Sequence, residues 1–291
     1  MNILPNFIMP GTAKAGTSFL LKYLRQHPDI YLPKSNELYF HSNLKNFNGP
    51  HDRSSEKKQT LSLKNYIDNF KMHTGQKVIG EFATDYLYDY KESIKSIKKI
   101  LGEDVKVIII LRNPIERTFS QYKHMVSKFH ESLNFWDALY AEEKRKRQKW
   151  RWTYQYIQVS MYYEQVKAYL KAFNNVHIVI YEDLKVNPIV TINNIYRFLE
   201  VEQVHFDNIT EKVNVKKVHS NKLSSQIYRY LSFLEKKLYK KTFLSEKIYY
   251  LNNKNLSLIH EDKLKLYEIF KSEIEKLEQL LNISLERWKI K

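Results

Sequence analysis

The chain has 291 residues, 43% of them hydrophobic and 14% aromatic, which is apolar material enough for one large α/β domain or two small ones and excludes a disordered polymer. With no cysteine, disulfide-stapled secreted folds, thiolate metal sites and cysteine nucleophiles are all excluded. A formal net charge of +16 points to an anionic partner, whether nucleic acid, glycan, phosphorylated cofactor or membrane surface, but the chain has no zinc-finger spacing, basic zipper or RNA-recognition motif, which argues against nucleic acid.

The opening MNILPNFIMPG has no basic region followed by a long apolar stretch and a small-residue cleavage site. No window approaches the roughly 20 apolar residues of a spanning helix. The expectation is a soluble cytoplasmic protein, with peripheral membrane contact left open. Residues 6–10 form a short apolar run stopped by Gly11, a first buried strand. Phe19, Leu20, Leu21 and Leu24 then give an amphipathic helix over 18–27, ended by His27-Pro28-Asp29. Residues 41–60 are polar and predict a loop or lid. A strand is predicted at 78–82 and a helix over 91–101.

The β-branched run at 105–111 is the clearest strand, of the kind covered on both faces of a parallel sheet. Pro114 suits the first position of the next helix. Residues 142–152 form a dense basic and aromatic patch, followed by a helix over 159–173, a strand over 176–181 and a helix over 188–199. The final third is helical and rich in lysine. This alternation predicts a single three-layer α/β domain over residues 1–291, with a central parallel sheet flanked by helices and a helical C-terminal part. No internal repeat or interdomain linker interrupts it.

The most informative segment is Gly11-Thr12-Ala13-Lys14-Ala15-Gly16-Thr17-Ser18, between the first strand and first helix. Two glycines let the backbone curl so that several N–H groups converge on one anion, and the helix start adds its dipole. The glycine spacing is that of a P-loop-like phosphate-binding turn, yet Thr17 follows the second glycine and the lysine lies inside the turn at Lys14. A lysine there would sit beside a shorter phosphate chain, near the bridging oxygen of a leaving group. The bland alternative is a tight turn with an exposed lysine.

GTAKAGTSFL resembles the 5′-phosphosulfate loop of PAPS-dependent sulfotransferases. The resemblance continues in order. PKSNELYF is similar to the segment carrying an acidic residue after the first helix, and GEFATDYLY to the GE-x-[ST]-P-x-Y segment of the bacterial and heparan-type branches. VIIILRNPIERTFSQYKH resembles the 3′-phosphate-binding strand and helix, and SMYYEQVKAYLKAF, IVIYEDLKVNP and ISLERW are also similar to stretches of that branch. The E-K-[ST]-P lysine and proline are replaced here, in Glu81-Phe82-Ala83-Thr84-Asp85.

The resemblance implies PAPS (3′-phosphoadenosine-5′-phosphosulfate) as donor, PAP as product and no metal. It implies that Ala15, Gly16, Thr17 and Ser18 hold the 5′-phosphate, that Arg112 and Ser120 clamp the 3′-phosphate, and that Lys14 stabilises the departing oxygen. Glu37 is the expected general base, with His41 as the alternative. Residues 213–220 offer Lys216, Lys217 and His219 near the cofactor, and Tyr86 and Arg117 are further possible contacts. His41, Asp85, Trp150 and Arg151 are candidate acceptor contacts. The patch carrying Trp150 and Arg151 could grip an anionic or saccharide acceptor, such as a polysaccharide or glycolipid, or be a solvated face. The competing functions are a P-loop kinase-like transferase and a polyanion-binding protein with a degenerate nucleotide fold.

Overall fold

The computed structural model describes residues 3–34, 37–44, 62–128, 130–204 and 256–290. Most of the predicted polar loop at 41–60, and the whole of 213–220 with Lys216, Lys217 and His219, lie outside the described residues.

Among the described residues, a five-stranded sheet forms the centre, in the order β2-β3-β1-β4-β5. Its strands are β1 (Phe7–Met9), β2 (Ile30–Tyr31), β3 (Val78–Phe82), β4 (Lys106–Leu111) and β5 (Val176–Ile180). Every pairing is parallel, with Phe7 opposite Gly80 on one side and opposite Lys106 on the other. β4 shows why the sheet is covered twice. Alternate residues of a strand point to opposite faces, and Val107, Ile109 and Leu111 enter one core while Ile108 and Ile110 enter another.

The first face is covered by α3 (Tyr90–Leu101), α4 (Pro114–Ser127), α7 (Tyr162–Ala172) and α10 (His260–Leu281). In α10 the buried residues are Leu266, Phe270, Ile274 and Leu277, a helical stripe laid against α4 and α7. The second face is covered by α1 (Thr17–Leu24), α8 (Tyr181–Val186) and α9 (Pro188–Leu199). α2 (Leu63–Asp68) packs on β3 through Tyr66, which sits against Ile79 and donates to Glu81, and α5 (Phe135–Tyr140) and α6 (Glu142–Arg147) follow α4. No helix among the described residues is long and apolar enough to cross a membrane.

The predicted strand at 78–82 and helix at 188–199 have the observed bounds. Pro114 does begin α4, where Asn113 caps the helix by accepting from the Ile115 N–H at 3.0 Å. The predicted helix over 159–173 is divided: a 3₁₀ turn at Gln158–Ser160 precedes α7, and Phe173 is already extended. The first helix stops at Leu24. β2, α2, α5 and α8 have no counterpart in the sequence reading. Each is short, and α8 starts directly at the end of β5, with no turn residue to announce it.

Candidate functional site

β1 is flanked by β3 and β4, so the chain leaves it at a topological switch point, where α/β sheets open a crevice beyond their C-terminal ends. Among the described residues five segments leave the sheet at that edge: 10–16 after β1, the segment from Leu32 after β2, 83–89 after β3, 112–113 after β4 and α8 after β5. The first is the glycine turn. It is stapled to β4 because the Thr12 N–H donates to the Ile110 carbonyl at 3.0 Å and the Ile110 N–H donates to the Gly11 carbonyl at 3.1 Å. Gly16 has φ of 87°, and a Cβ there would lie 2.6 Å from the Tyr181 ring. Only glycine satisfies both conditions. α1 starts at the next residue, presenting first-turn N–H groups that have no acceptor within the helix.

Arg112 joins the ends of β4 and β1. Its Nη1 donates to the Lys14 carbonyl at 3.0 Å, and its guanidinium carbon lies 4.9 Å above the Tyr181 ring. Its Nη2 is 3.8 Å from the Glu116 carboxylate. The Nε is buried without a hydrogen-bond partner, as is Thr12 Oγ1 in the turn itself. Ser120 is half-buried one turn beyond Glu116 on α4, along the face that Arg112 approaches. The turn, Lys14 and Arg112 are therefore brought together.

Glu37 is held beside them by Thr84, whose Oγ1 donates to Glu37 Oε1 at 2.7 Å. The same Thr84 reaches the turn, because its carbonyl oxygen lies 3.2 Å from where a Gly11 Cβ would be. Burial pushes the Glu37 carboxyl above its ordinary range, against the Thr84 hydrogen bond and the nearby Arg151 charge, which both pull it down. Arg151 is thus close enough to Glu37 to act on it, and its own Nε is buried without a partner. The next residue, Trp152, packs on Ala13 of the turn.

His41 and Asp85, expected against the acceptor, lie inside the protein instead. His41 is 2% exposed, with Nδ1 2.9 Å from Ser96 Oγ and Nε2 3.1 Å from Tyr66 Oη and 3.3 Å from Glu81. Asp85 is wholly buried and accepts from Ser42 Oγ at 2.6 Å, and burial pushes its carboxyl up to about 8. Together with the Asn43 N–H donating to Asp89 at 2.6 Å, these bonds pin residues 42–43 to the 85–89 segment and so brace the irregular stretch bearing Glu37. Tyr86 and Arg117 are equally enclosed. Tyr86 donates to Glu81, and Arg117 donates to Ser160 Oγ and to the Tyr156 carbonyl, each at 2.5 Å.

The basic patch divides in two. Arg145 is 5% exposed and forms a bidentate pair with buried Glu131, at 2.6 and 2.8 Å, while Trp150 and Tyr154 flank its guanidinium. Lys144, Lys146, Arg147 and Lys149 are exposed. Half-buried Trp150 therefore has one face against Arg145, whereas Arg151 acts on Glu37 and Trp152 packs on the turn. The sequence reading did not single out Thr84 and Tyr181. Thr84 had a signal, standing where the related segment carries proline; Tyr181 had none beyond its motif.

The Sulfotransferase domain family matches residues 4–265. The membrane-associated sulfotransferase kil1 of Dictyostelium discoideum is 33% identical over 123 residues, covering 41% of this chain and 22% of that protein. Heparan sulfate glucosamine 3-O-sulfotransferase 3B1 of Mus musculus is 25% identical over 170 residues, covering 58% and 39%. The chain thus spans well under half the length of these curated relatives. Among solved structures, a sulfotransferase from Alicyclobacillus acidocaldarius superposes with a TM-score of 0.77 at 27% identity, covering 98% of this chain and 99% of that one.

Proposed function

Because the chain belongs to the sulfotransferase family, we propose that it moves a sulfuryl group from PAPS to a hydroxyl or amine of a saccharide acceptor, with residues 1–291 acting as one catalytic domain. Family membership favours sulfuryl transfer over the kinase-like and polyanion-binding alternatives. The observation that carries the reading is the bond from Arg112 to the Lys14 carbonyl, which ties the glycine turn to a second cation at the end of β4.

The residues present fit this donor. Gly16 keeps the turn open beside Tyr181, and the buried Nε of Arg112 and Oγ1 of Thr12 lack partners. Backbone N–H groups of Ala15, Gly16, Thr17 and Ser18, with the Thr17 and Ser18 hydroxyls, hold the 5′-phosphate; Arg112 and Ser120 hold the 3′-phosphate. When bound, PAPS supplies a sulfuryl group already attached to a good leaving phosphate. Glu37 takes the proton of the attacking acceptor group, and its raised pKa suits it to that task. Lys14 places its ammonium against the charge that develops on the departing phosphate oxygen. Arg151, beside Glu37, meets the acceptor. The saccharide class is supported by the heparan sulfate glucosamine acceptor named for the mouse relative.

The test is transfer of labelled sulfur from PAPS to heparan-type polysaccharides, glycolipids and simple amines or phenols. Label on a saccharide is expected, with kcat lowered about 10²-fold or more in Glu37→Gln and Lys14→Ala. Absence of transfer to every acceptor, or undiminished turnover in Glu37→Gln, would overturn the assignment.

A further inference from the structure

The peptide unit joining Arg112 to Asn113 is held at both of its polar ends. Its carbonyl oxygen, on Arg112, accepts from the Tyr162 hydroxyl at 3.1 Å. Its N–H, on Asn113, donates to Glu182 Oε1 at 3.1 Å. The other oxygen of Glu182 accepts from the Trp288 indole N–H at 3.0 Å. Trp288 is fully buried within the core of the first sheet face, beside Tyr162, so the carboxylate is oriented by a side chain that cannot move independently of that core. The neighbouring pair repeats the attachment, since Arg287 Nη2 lies 2.6 Å from Asp183 Oδ1. Two consecutive acidic residues in the first turn of α8 are thus bound by two consecutive residues of the 3₁₀ turn Glu286–Trp288.

Tyr181, immediately before Glu182, lies beneath the Arg112 guanidinium. The start of α8 therefore controls both the peptide from which Arg112 springs and the platform on which its guanidinium rests. A fully buried indole needs an acceptor for its N–H, and here that acceptor is the same carboxylate that takes the Asn113 N–H, so the core and the Arg112 peptide are tied through one residue. This tie at the Arg112 peptide calls for a role there.

We propose that Glu182, oriented by Trp288, is a positioning residue for Arg112, fixing the direction in which its guanidinium is presented to the donor's 3′-phosphate. The inference rests on the reading of Arg112 as the 3′-phosphate clamp. A charge-assisted acceptor on a backbone N–H is about twice as strong as a neutral one, so its loss should be felt at the arginine.

The test is calorimetric titration of PAP and of AMP, which lacks the 3′-phosphate, into wild type, Arg112→Ala, Trp288→Phe, Glu182→Ala and Arg112→Ala/Trp288→Phe. Trp288→Phe and Glu182→Ala should each weaken PAP binding about tenfold while leaving AMP binding unchanged, a loss within reach of one charge-assisted hydrogen bond. The double variant should bind PAP as Arg112→Ala does. A wild-type protein with no preference for PAP, or an Arg112→Ala variant that keeps it, brings down the Arg112 reading and this inference together. Loss of the preference in Arg112→Ala, with wild-type preference in Trp288→Phe and Glu182→Ala, overturns this inference alone. Equal weakening of both nucleotides, the pattern of a loosened core, overturns it as well. Should Trp288→Phe fail to fold, the half-buried Glu182 carries the same readout in Glu182→Ala and in Glu182→Gln, where one donor keeps its acceptor and an intermediate loss is expected.

Discussion

The Arg112 guanidinium donates to the carbonyl oxygen of Lys14 at 3.0 Å, so the cation that follows β4 and the lysine inside the β1 turn are parts of one rigid assembly. Lys14 takes a positive φ of 69° at that point, a conformation costly for a residue with a side chain. Such strain persists where the surroundings hold it, and Arg112 is one of the groups that does so.

Gly16→Ala tests the turn. The added methyl would meet Tyr181 at 2.6 Å in a backbone conformation, φ 87°, that costs alanine about 1–2 kcal/mol. A lowered melting temperature and loss of PAP binding are expected. Unchanged binding would mean that the turn does not cradle a phosphate.

Thr84→Val removes the hydroxyl that bonds Glu37 without changing side-chain shape. That hydrogen bond lowers the Glu37 pKa, so the variant's pKa should rise further. A base is active when deprotonated, so kcat/KM falls as pH drops through the Glu37 pKa. The acidic limb of the profile is expected to move to higher pH in the variant. A limb in the wild-type position would remove Glu37 from the role of base.

Arg151→Met deletes a second influence of the same sign on Glu37 and should shift the acidic limb in the same direction. If Arg151 also meets an anionic acceptor, KM for such an acceptor rises while that for a neutral one does not. Equal changes for both acceptors would confine Arg151 to its effect on Glu37.

Much of this was legible in the chain before folding was considered. The run at 105–111 reads as a strand covered on both faces, and Gly11 and Gly16 announce a tight turn between the first strand and the first helix, both of which the fold contains. The assignments of His41 and Asp85 were harder because short polar residues next to a loop look exposed. Their burial depends on Tyr66, Ser96 and Ser42, distant or unremarkable in sequence. Arg145 could not be separated from its basic neighbours, since its partner Glu131 lies outside the patch and carries no motif.

Arg145→Met should therefore act on stability rather than on the acceptor. It leaves the buried Glu131 carboxylate with its Ser132, Leu133 and Tyr156 donors but without its cation, a loss of up to about 3–5 kcal/mol when one member of a buried pair is removed. Urea denaturation measures this directly. A loss below about 1 kcal/mol, the surface-pair range, would show that the pair is solvated.

Asp85 gives stability a pH dependence. Its folded-state pKa of about 8 lies above its ordinary 3.8, so folding favours the protonated form. Stability from this group is complete below 3.8, declines as pH rises through that window and is gone above about 8. Asp85→Asn, which keeps an acceptor for Ser42, should flatten the dependence between pH 6 and pH 9 on the order of the titration predicted by linkage. An equal slope in both proteins would assign the effect to other groups.

The proposed function requires this edge of the sheet to hold a nucleotide carrying both a 5′- and a 3′-phosphate. Calorimetric binding of PAP, compared with ADP in the absence of magnesium, tests it most directly. Tight binding that requires the 3′-phosphate and collapses in Arg112→Ala is the predicted result. Equal affinity for ADP, or binding of ATP that depends on magnesium, would rule out a PAPS site here.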